Sequence, residues 1–434
     1  MRSGRAEAVS RQAQGKPRSA ETANAGSPAP WVQAPERCTL LRRRHTPIGA
    51  ALNAPVAKIQ WSRWFSGAAR FFADSKVVLL MFVSSRLLIV GVILLSKMVV
   101  VRGPFWQPGG LLGALTQWDS IYYIHIARHG YFHAEGWMST VAFFPSFPML
   151  VKAMSFVFHD FRLAAVVTAN ICLLGAGLLL HRLVRWEFQD RRIADTAVTL
   201  LMFSPVSFFF STAYTEATFL MLAIASYYAA RRERWLLAGL CGMCLAATRN
   251  VGFWMAVPLF IEHLRQSGDW RRPLSGLVHP RILAIALVPL GLVLYMLFGY
   301  TKRGDLLAFS HAGADWGRVL VSPLQTLSLA ALYTPFYRAL FLGALAAAAV
   351  LWVAGLLLRL RGSYLVWAAL LIVTYLSSNS LEAVPRYLSV VFPLFIVLAL
   401  LVNRYPWSYT PVLACSMSSL TICTVLLANG YWMT

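Results

Sequence analysis

The run Trp118-Asp119-Ser120-Ile121-Tyr122-Tyr123-Ile124-His125 sets a carboxylate and an imidazole among aromatic rings, shortly after the first long apolar stretch of the chain. An acid at a bilayer surface costs free energy unless it is wetted, paired or used. Its natural use is to take a proton from a hydroxyl. Two arginines sit between apolar runs, Arg249 in Thr248-Arg249-Asn250 and Arg386 in Pro385-Arg386-Tyr387. A guanidinium fork matches the oxygens of a phosphate. Two further acids occupy similar breaks, Glu216 after Ala213-Tyr214-Thr215 and Asp305 in Gly304-Asp305-Leu306-Leu307. A base beside cations that hold a departing phosphate is the equipment of group transfer from a phosphate-linked donor.

Each of these residues also has a plain structural reading. Asp119 fits the first turn of an amphipathic helix lying on the membrane, where it would act as a cap, and Glu216 and Asp305 fit caps as well. Arg249 and Arg386 fit side chains reaching out to lipid headgroups. Glu382 stands four residues before Arg386, the spacing of an ion pair along one helical face. Asp315, beside Trp316, reads as a solvated loop acid, and Glu135 lies in the same early loop as Asp119.

The elements that must carry these residues follow from composition. Of 434 residues 58% are hydrophobic and 13% charged, a charged fraction about half that of ordinary soluble domains. Apolar runs long enough to cross a bilayer recur from Val77 onward. The pattern predicts an all-α, polytopic helical membrane protein with about 10–12 transmembrane helices. Spans are expected near 77–101, 163–184, 195–211, 216–230, 235–249, 250–264, 281–300, 336–358, 364–380, 388–403 and 408–428. Residues 141–158 fit either a further crossing or an interfacial helix. Three regions result: a disordered basic tail over 1–58, an interfacial amphipathic segment over 59–76, and the transmembrane domain over 77–430 with its long first external loop at 102–140.

The net charge of +22 is concentrated in the tail and in short loops such as Arg191-Arg192 and Arg231-Arg232. That is a topology signal rather than a nucleic-acid footprint. It sets the N-terminus in the cytosol and Asp119, Glu216, Arg249, Asp305 and Arg386 on the opposite face. Cys241 and Cys244 have redox spacing but lie in an apolar helix, so they read as packing residues. The chain has no Walker loop, no strand-linked GxGxxG, no HExxH and no Asp-x-Asp. No cofactor is expected, no cluster demands a metal although a metal requirement stays open, and the donor must arrive through the membrane plane.

Taken in order, the motifs resemble the PIG-V family, the GPI mannosyltransferase II type with its bacterial relatives. They are Trp118-Asp119 with Ile126-Ala127 and Gly130-Tyr131, Ala142-Phe143-Phe144-Pro145 with Pro148, Ser204-Pro205, Ala213-Tyr214-Thr215-Glu216, Thr248-Arg249-Asn250 with Gly252, Gly304-Asp305 with Ala308-Phe309 and Trp316, and Pro385-Arg386-Tyr387 with Pro393. The chain departs from the family pattern at His133-Ala134-Glu135, by one extra residue between Asn250 and Gly252, and in its basic extension.

The resemblance implies an integral-membrane glycosyltransferase of GT-C type, transferring mannose from a polyprenyl-phosphate-mannose donor to a lipid or glycan acceptor on the external face of a bacterial inner membrane, with inversion and without a nucleotide. It points to Asp119 as base. Arg249 and Arg386 then hold the phosphate, Trp118 and Tyr122 line the sugar and lipid, and His125, Glu216, Asn250 and Asp305 shape the pocket. A small membrane subunit is compatible as a partner. The residues alone leave open a GT-C transferase for another sugar, a lipid-linked-sugar flippase or transporter, and an assembly subunit without catalysis.

Overall fold

A computed structural model describes residues 56–106, 108–132, 139–268 and 279–433, with side chains from Ser75 onward except that of Asp315. The basic tail up to residue 55 and Glu135 lie outside the described residues. The chain divides into two units after Ser62, and the fold below is that of the second.

Every regular element among the described residues is helical, and the isolated bridge between Leu320 and Ser378 is the sole strand-like pairing there. Among the described residues five helices are long and apolar enough to cross a bilayer: Ser75–Val99, Phe161–Phe188, Arg281–Arg303, Pro335–Leu357 and Pro406–Ala428. At about 1.5 Å per residue, even those of 23 residues reach roughly 35 Å. The first belongs to a longer helix, Val56–Val99, which takes in the segment read as interfacial. Ser146–Phe158 has 13 residues, about 20 Å, which is short for a crossing.

The expected spans at 195–211, 235–249 and 250–264 are interrupted. Arg191–Met202 ends two residues before Ser204-Pro205, because the residue preceding a proline avoids the helical region, and a 3-10 turn follows at Ser207–Phe210. Trp235–Ala246 stops before Arg249, whose backbone is extended, and the chain resumes as a 3-10 turn, Asn250–Met255, leading into Ala256–Ser267. The interruptions coincide with the chemically interesting motifs.

Caps confirm where helices start. Asp160 accepts from the backbone of Arg162 at 2.7 Å and Asp190 from that of Arg192 at 2.7 Å, opening Phe161–Phe188 and Arg191–Met202. The core is aromatic: Phe208, Phe209, Phe210, Phe219, Trp367 and Phe392 are fully buried. Helix Trp235–Ala246 lies against Arg281–Arg303 at a separation only glycine permits. A Cβ on Gly239 would stand 2.0 Å from the carbonyl oxygen of Ala284. A Cβ on Gly291 would likewise stand 2.0 Å from the carbonyl oxygen of Met243, so the close packing reaches the helix end beyond which Arg249 lies.

Candidate active site

Two acids and two arginines converge into one chain of ion pairs. Arg386 donates from Nη1 to Oδ2 of Asp119 at 2.8 Å, and its Nε lies 3.3 Å from Oε1 of Glu216. Arg249 donates from Nη1 to the same Oε1 at 2.9 Å. Glu216 is 2% exposed and Arg386 7%, whereas Asp119 is 30% exposed and forms the open end of the chain. Oε2 of Glu216 is buried without a hydrogen-bond partner. Leaving such an acceptor unmade costs about 1–3 kcal/mol, so the atom is poised for a donor group from a ligand.

Both acids are the first residues of helices, Asp119 of Asp119–His129 and Glu216 of Glu216–Arg231, where the helix dipole favours negative charge. Their two starting points are stitched together. The backbone of Ala213 donates to Leu115 O at 3.0 Å, the Tyr214 hydroxyl donates to Gln117 O at 3.3 Å, and the Gln117 amide donates to Leu427 O at 3.3 Å. Trp118 takes a positive φ of 50°, a conformation costly for a side chain with a Cβ, immediately before the carboxylate. Arg386 rides on the short helix Val384–Leu388, opened by Pro385. Its guanidinium is boxed by the rings of Tyr214 and Tyr387, each 5.0 Å away, and Arg249 lies 4.4 Å from the ring of Tyr387.

Aromatic rings at the start of the Asp119 helix pack against later segments of the chain. Tyr122 stacks on Phe143 at 5.1 Å and meets Trp316 edge-on at 4.7 Å, while Trp118 packs against Trp432 at 6.1 Å. Burial, then the charge of Asp119, raises the pKa of Tyr122. His125 lies one turn further along the same helix, against Phe132 at 4.7 Å and His129 at 5.0 Å. Partial burial, then His129, lowers its basicity.

Other sequence candidates stand apart from this chain of charges. Asn250 is exposed and its side chain accepts from Val251 at 2.9 Å. Asp305 accepts from the Leu307 backbone at 2.8 Å and pairs with His311 at 2.7 Å, and those bonds hold its pKa below the ordinary value. Glu382 does not pair with Arg386 as its spacing suggested. It lies 4.0 Å from Arg318, because Arg386 points inward to Asp119 and Glu216. Among the described residues no three His, Cys, Asp or Glu side chains group as metal ligands.

Sequence reasoning placed Tyr214 and Tyr387 in motifs without a role, though an aromatic beside each charged residue was their signal. It missed a second buried ionic cluster altogether. Arg231 pairs with Glu187 at 3.0 Å and Glu262 at 3.2 Å, Arg361 joins Glu187, and Tyr227 and Ser363 bond Glu262. Helix Glu216–Arg231 thus has an ionic cluster at each end, about 23 Å apart.

Residues 106–305 match a family model described as Mannosyltransferase (PIG-V). GPI alpha-1,6-mannosyltransferase 2 of Cricetulus griseus is 26% identical over 213 residues, covering 44% of this chain and 42% of that protein. GPI mannosyltransferase pigv-1 of Caenorhabditis elegans is 29% identical over 208 residues, covering 42% and 28%. The chain therefore spans less than half the length of these curated relatives. Among solved structures, ArnT from Cupriavidus metallidurans bound to undecaprenyl phosphate superposes with a TM-score of 0.50 at 15% identity, covering 76% of this chain and 60% of that one. The likeness shows a shared GT-C-like helical membrane fold.

Proposed function

We propose that this membrane protein, whose residues 106–305 match the PIG-V mannosyltransferase model, moves mannose from a polyprenyl-phosphate-mannose donor to the hydroxyl of a membrane-presented lipid or glycan acceptor. The observation that carries the reading is the run of ion pairs Asp119–Arg386–Glu216–Arg249, with its acid end open and its cationic middle buried. The undecaprenyl phosphate bound to ArnT supports a polyprenyl phosphate as the lipid half of the donor.

Asp119 takes the proton from the acceptor hydroxyl. The acceptor oxygen bonds to the anomeric carbon on the face opposite the phosphate, giving inversion. The carbon–oxygen bond to the phosphate breaks and its electron pair leaves on the lipid phosphate, which Arg249 and Arg386 hold by charge-assisted bonds. A phosphate that engages Arg386 competes with Asp119 for the same guanidinium, so donor binding releases the carboxylate to act. Oε2 of Glu216 accepts from a mannose hydroxyl. Trp118 and Tyr122 form the apolar rim, and His125 and Asn250 lie toward the acceptor. Asp305 fixes the start of the segment that lays Trp316 against Tyr122. The site opens on the external side of a bacterial inner membrane, with the N-terminus in the cytosol.

The test is transfer of radiolabelled mannose from synthetic polyprenyl-phosphate mannose by membranes containing the chain, beside Asp119→Asn. Label in a lipid or polymer only with the intact protein supports the reading. No transfer from mannosyl donor by folded protein, with transfer from a glucosyl or arabinosyl donor, would replace mannose with another sugar.

A further inference from the structure

Arg86 is a guanidinium inside the first span, Ser75–Val99, and the proposed mechanism gives it no task. Among the described residues its five hydrogen bonds end on neutral oxygens. Nη1 donates to Ser207 O at 3.1 Å and Ser211 Oγ at 2.8 Å, Nη2 donates to Met202 O at 3.2 Å and Ser207 Oγ at 2.6 Å, and Nε donates to Ser85 Oγ at 3.3 Å. Ser207 Oγ passes its own proton to Met202 O at 2.7 Å, and Ser211 Oγ donates to Asn170 at 2.9 Å. A cation at membrane depth with only neutral acceptors is expensive, and helix packing alone would be met by an apolar side chain at lower cost.

Four of these five bonds reach one stretch, which runs from Met202 at the end of Arg191–Met202 into the break before Glu216–Arg231, and the fifth reaches the neighbouring Ser85. Within that break, Phe209 lies between Ser207 and Ser211. The ring of Phe209 is 5.8 Å from the guanidinium carbon of Arg386 and stacks on Tyr214 at 5.7 Å. Tyr214 is one of the two rings that box Arg386. The break ends at Glu216, whose carboxylate Arg249 and Arg386 share.

We propose that Arg86 is a positioning residue for donor binding. By clasping both serines it holds the 3-10 turn Ser207–Phe210, and through Phe209, Tyr214 and Glu216 it keeps the Arg386 guanidinium where the donor phosphate arrives. The inference rests on the phosphate-binding role given to Arg386 above. Five donors in a fixed plane are needed, which a lysine with three rotatable donors cannot reproduce.

The test measures binding of polyprenyl phosphate alone to purified protein, then donor KM and kcat, for the intact chain, Arg86→Lys and Ser211→Ala, with the melting temperature of each. The expected result is a rise of about tenfold in Kd and KM for Arg86→Lys and about threefold for Ser211→Ala, with kcat within about threefold. A lowered melting temperature with unchanged Kd and KM makes Arg86 a packing residue and overturns the inference while leaving the proposed function intact. If Arg86→Lys does not fold, Ser211→Ala decides alone, and unchanged binding there overturns it. An intact chain that binds no polyprenyl phosphate removes the function reading and this inference together.

Discussion

Replacing Asp119 by Asn separates two roles that the ion pair with Arg386 combines. The substitution removes the base, which lowers transfer by about 10²- to 10⁴-fold. It also removes the anion that occupies Arg386 when no donor is bound. At the 2.8 Å contact the charge centres are about 4 Å apart, and an effective dielectric near 20 gives an attraction of about 4 kcal/mol. Asp119 is 30% exposed, so solvent screens most of this and about 1–1.5 kcal/mol remains. Polyprenyl phosphate no longer has to displace that carboxylate, so Asp119→Asn is expected to bind it about tenfold more tightly while transferring almost nothing. Titration of the purified variant with polyprenyl phosphate, alongside a mannosyl-transfer assay, reads both effects. Retained turnover would refute Asp119 as base, and weaker phosphate binding would refute the competition for Arg386.

Arg386→Lys keeps the charge but loses the fork that reaches Asp119 and Glu216, and kcat/KM should fall about 30- to 900-fold, equivalent to about 2–4 kcal/mol, read from donor saturation curves. Glu262→Gln leaves Arg231 and Arg361 short of a buried anion, so thermal unfolding should show a loss of about 3 kcal/mol, with kcat of the folded fraction unchanged. Gly239→Ala places a methyl 2.0 Å from a backbone oxygen and should cost about 1–3 kcal/mol, visible as a lower melting temperature. The Asp305 pKa is lowered in the folded protein, so its contribution to stability is present above the ordinary carboxylate value of about 3.9 and is lost as pH falls through the lowered one. Asp305→Asn should therefore lower the melting temperature at neutral pH and leave it unchanged below the lowered pKa, so that the acid limb of the profile flattens.

The class of the molecule was legible in the chain because apolar runs and sparse charge are properties of composition, and no tertiary contact is needed to read them. Some of the breaks were legible too. Thr248-Arg249-Asn250 and Pro385-Arg386 interrupt apolar patterns locally, whereas the break at Ser204-Pro205 fell inside the expected span 195–211. Asp119, Glu216, Arg249 and Arg386 stand out as charges where charge is costly. Partnership was not legible. Glu382 at helical spacing was the natural mate for Arg386, yet the short helix turns Arg386 inward to acids 267 and 170 residues away in the chain. Nor could spacing reveal that Arg86 reaches Ser207 and Ser211, or that Glu187, Arg231, Glu262 and Arg361 meet at the far end of one helix. An ion pair in a low-dielectric interior is decided by which helices pack and at what depth their ends fall. That information lies in the packed arrangement, which only the tertiary structure holds.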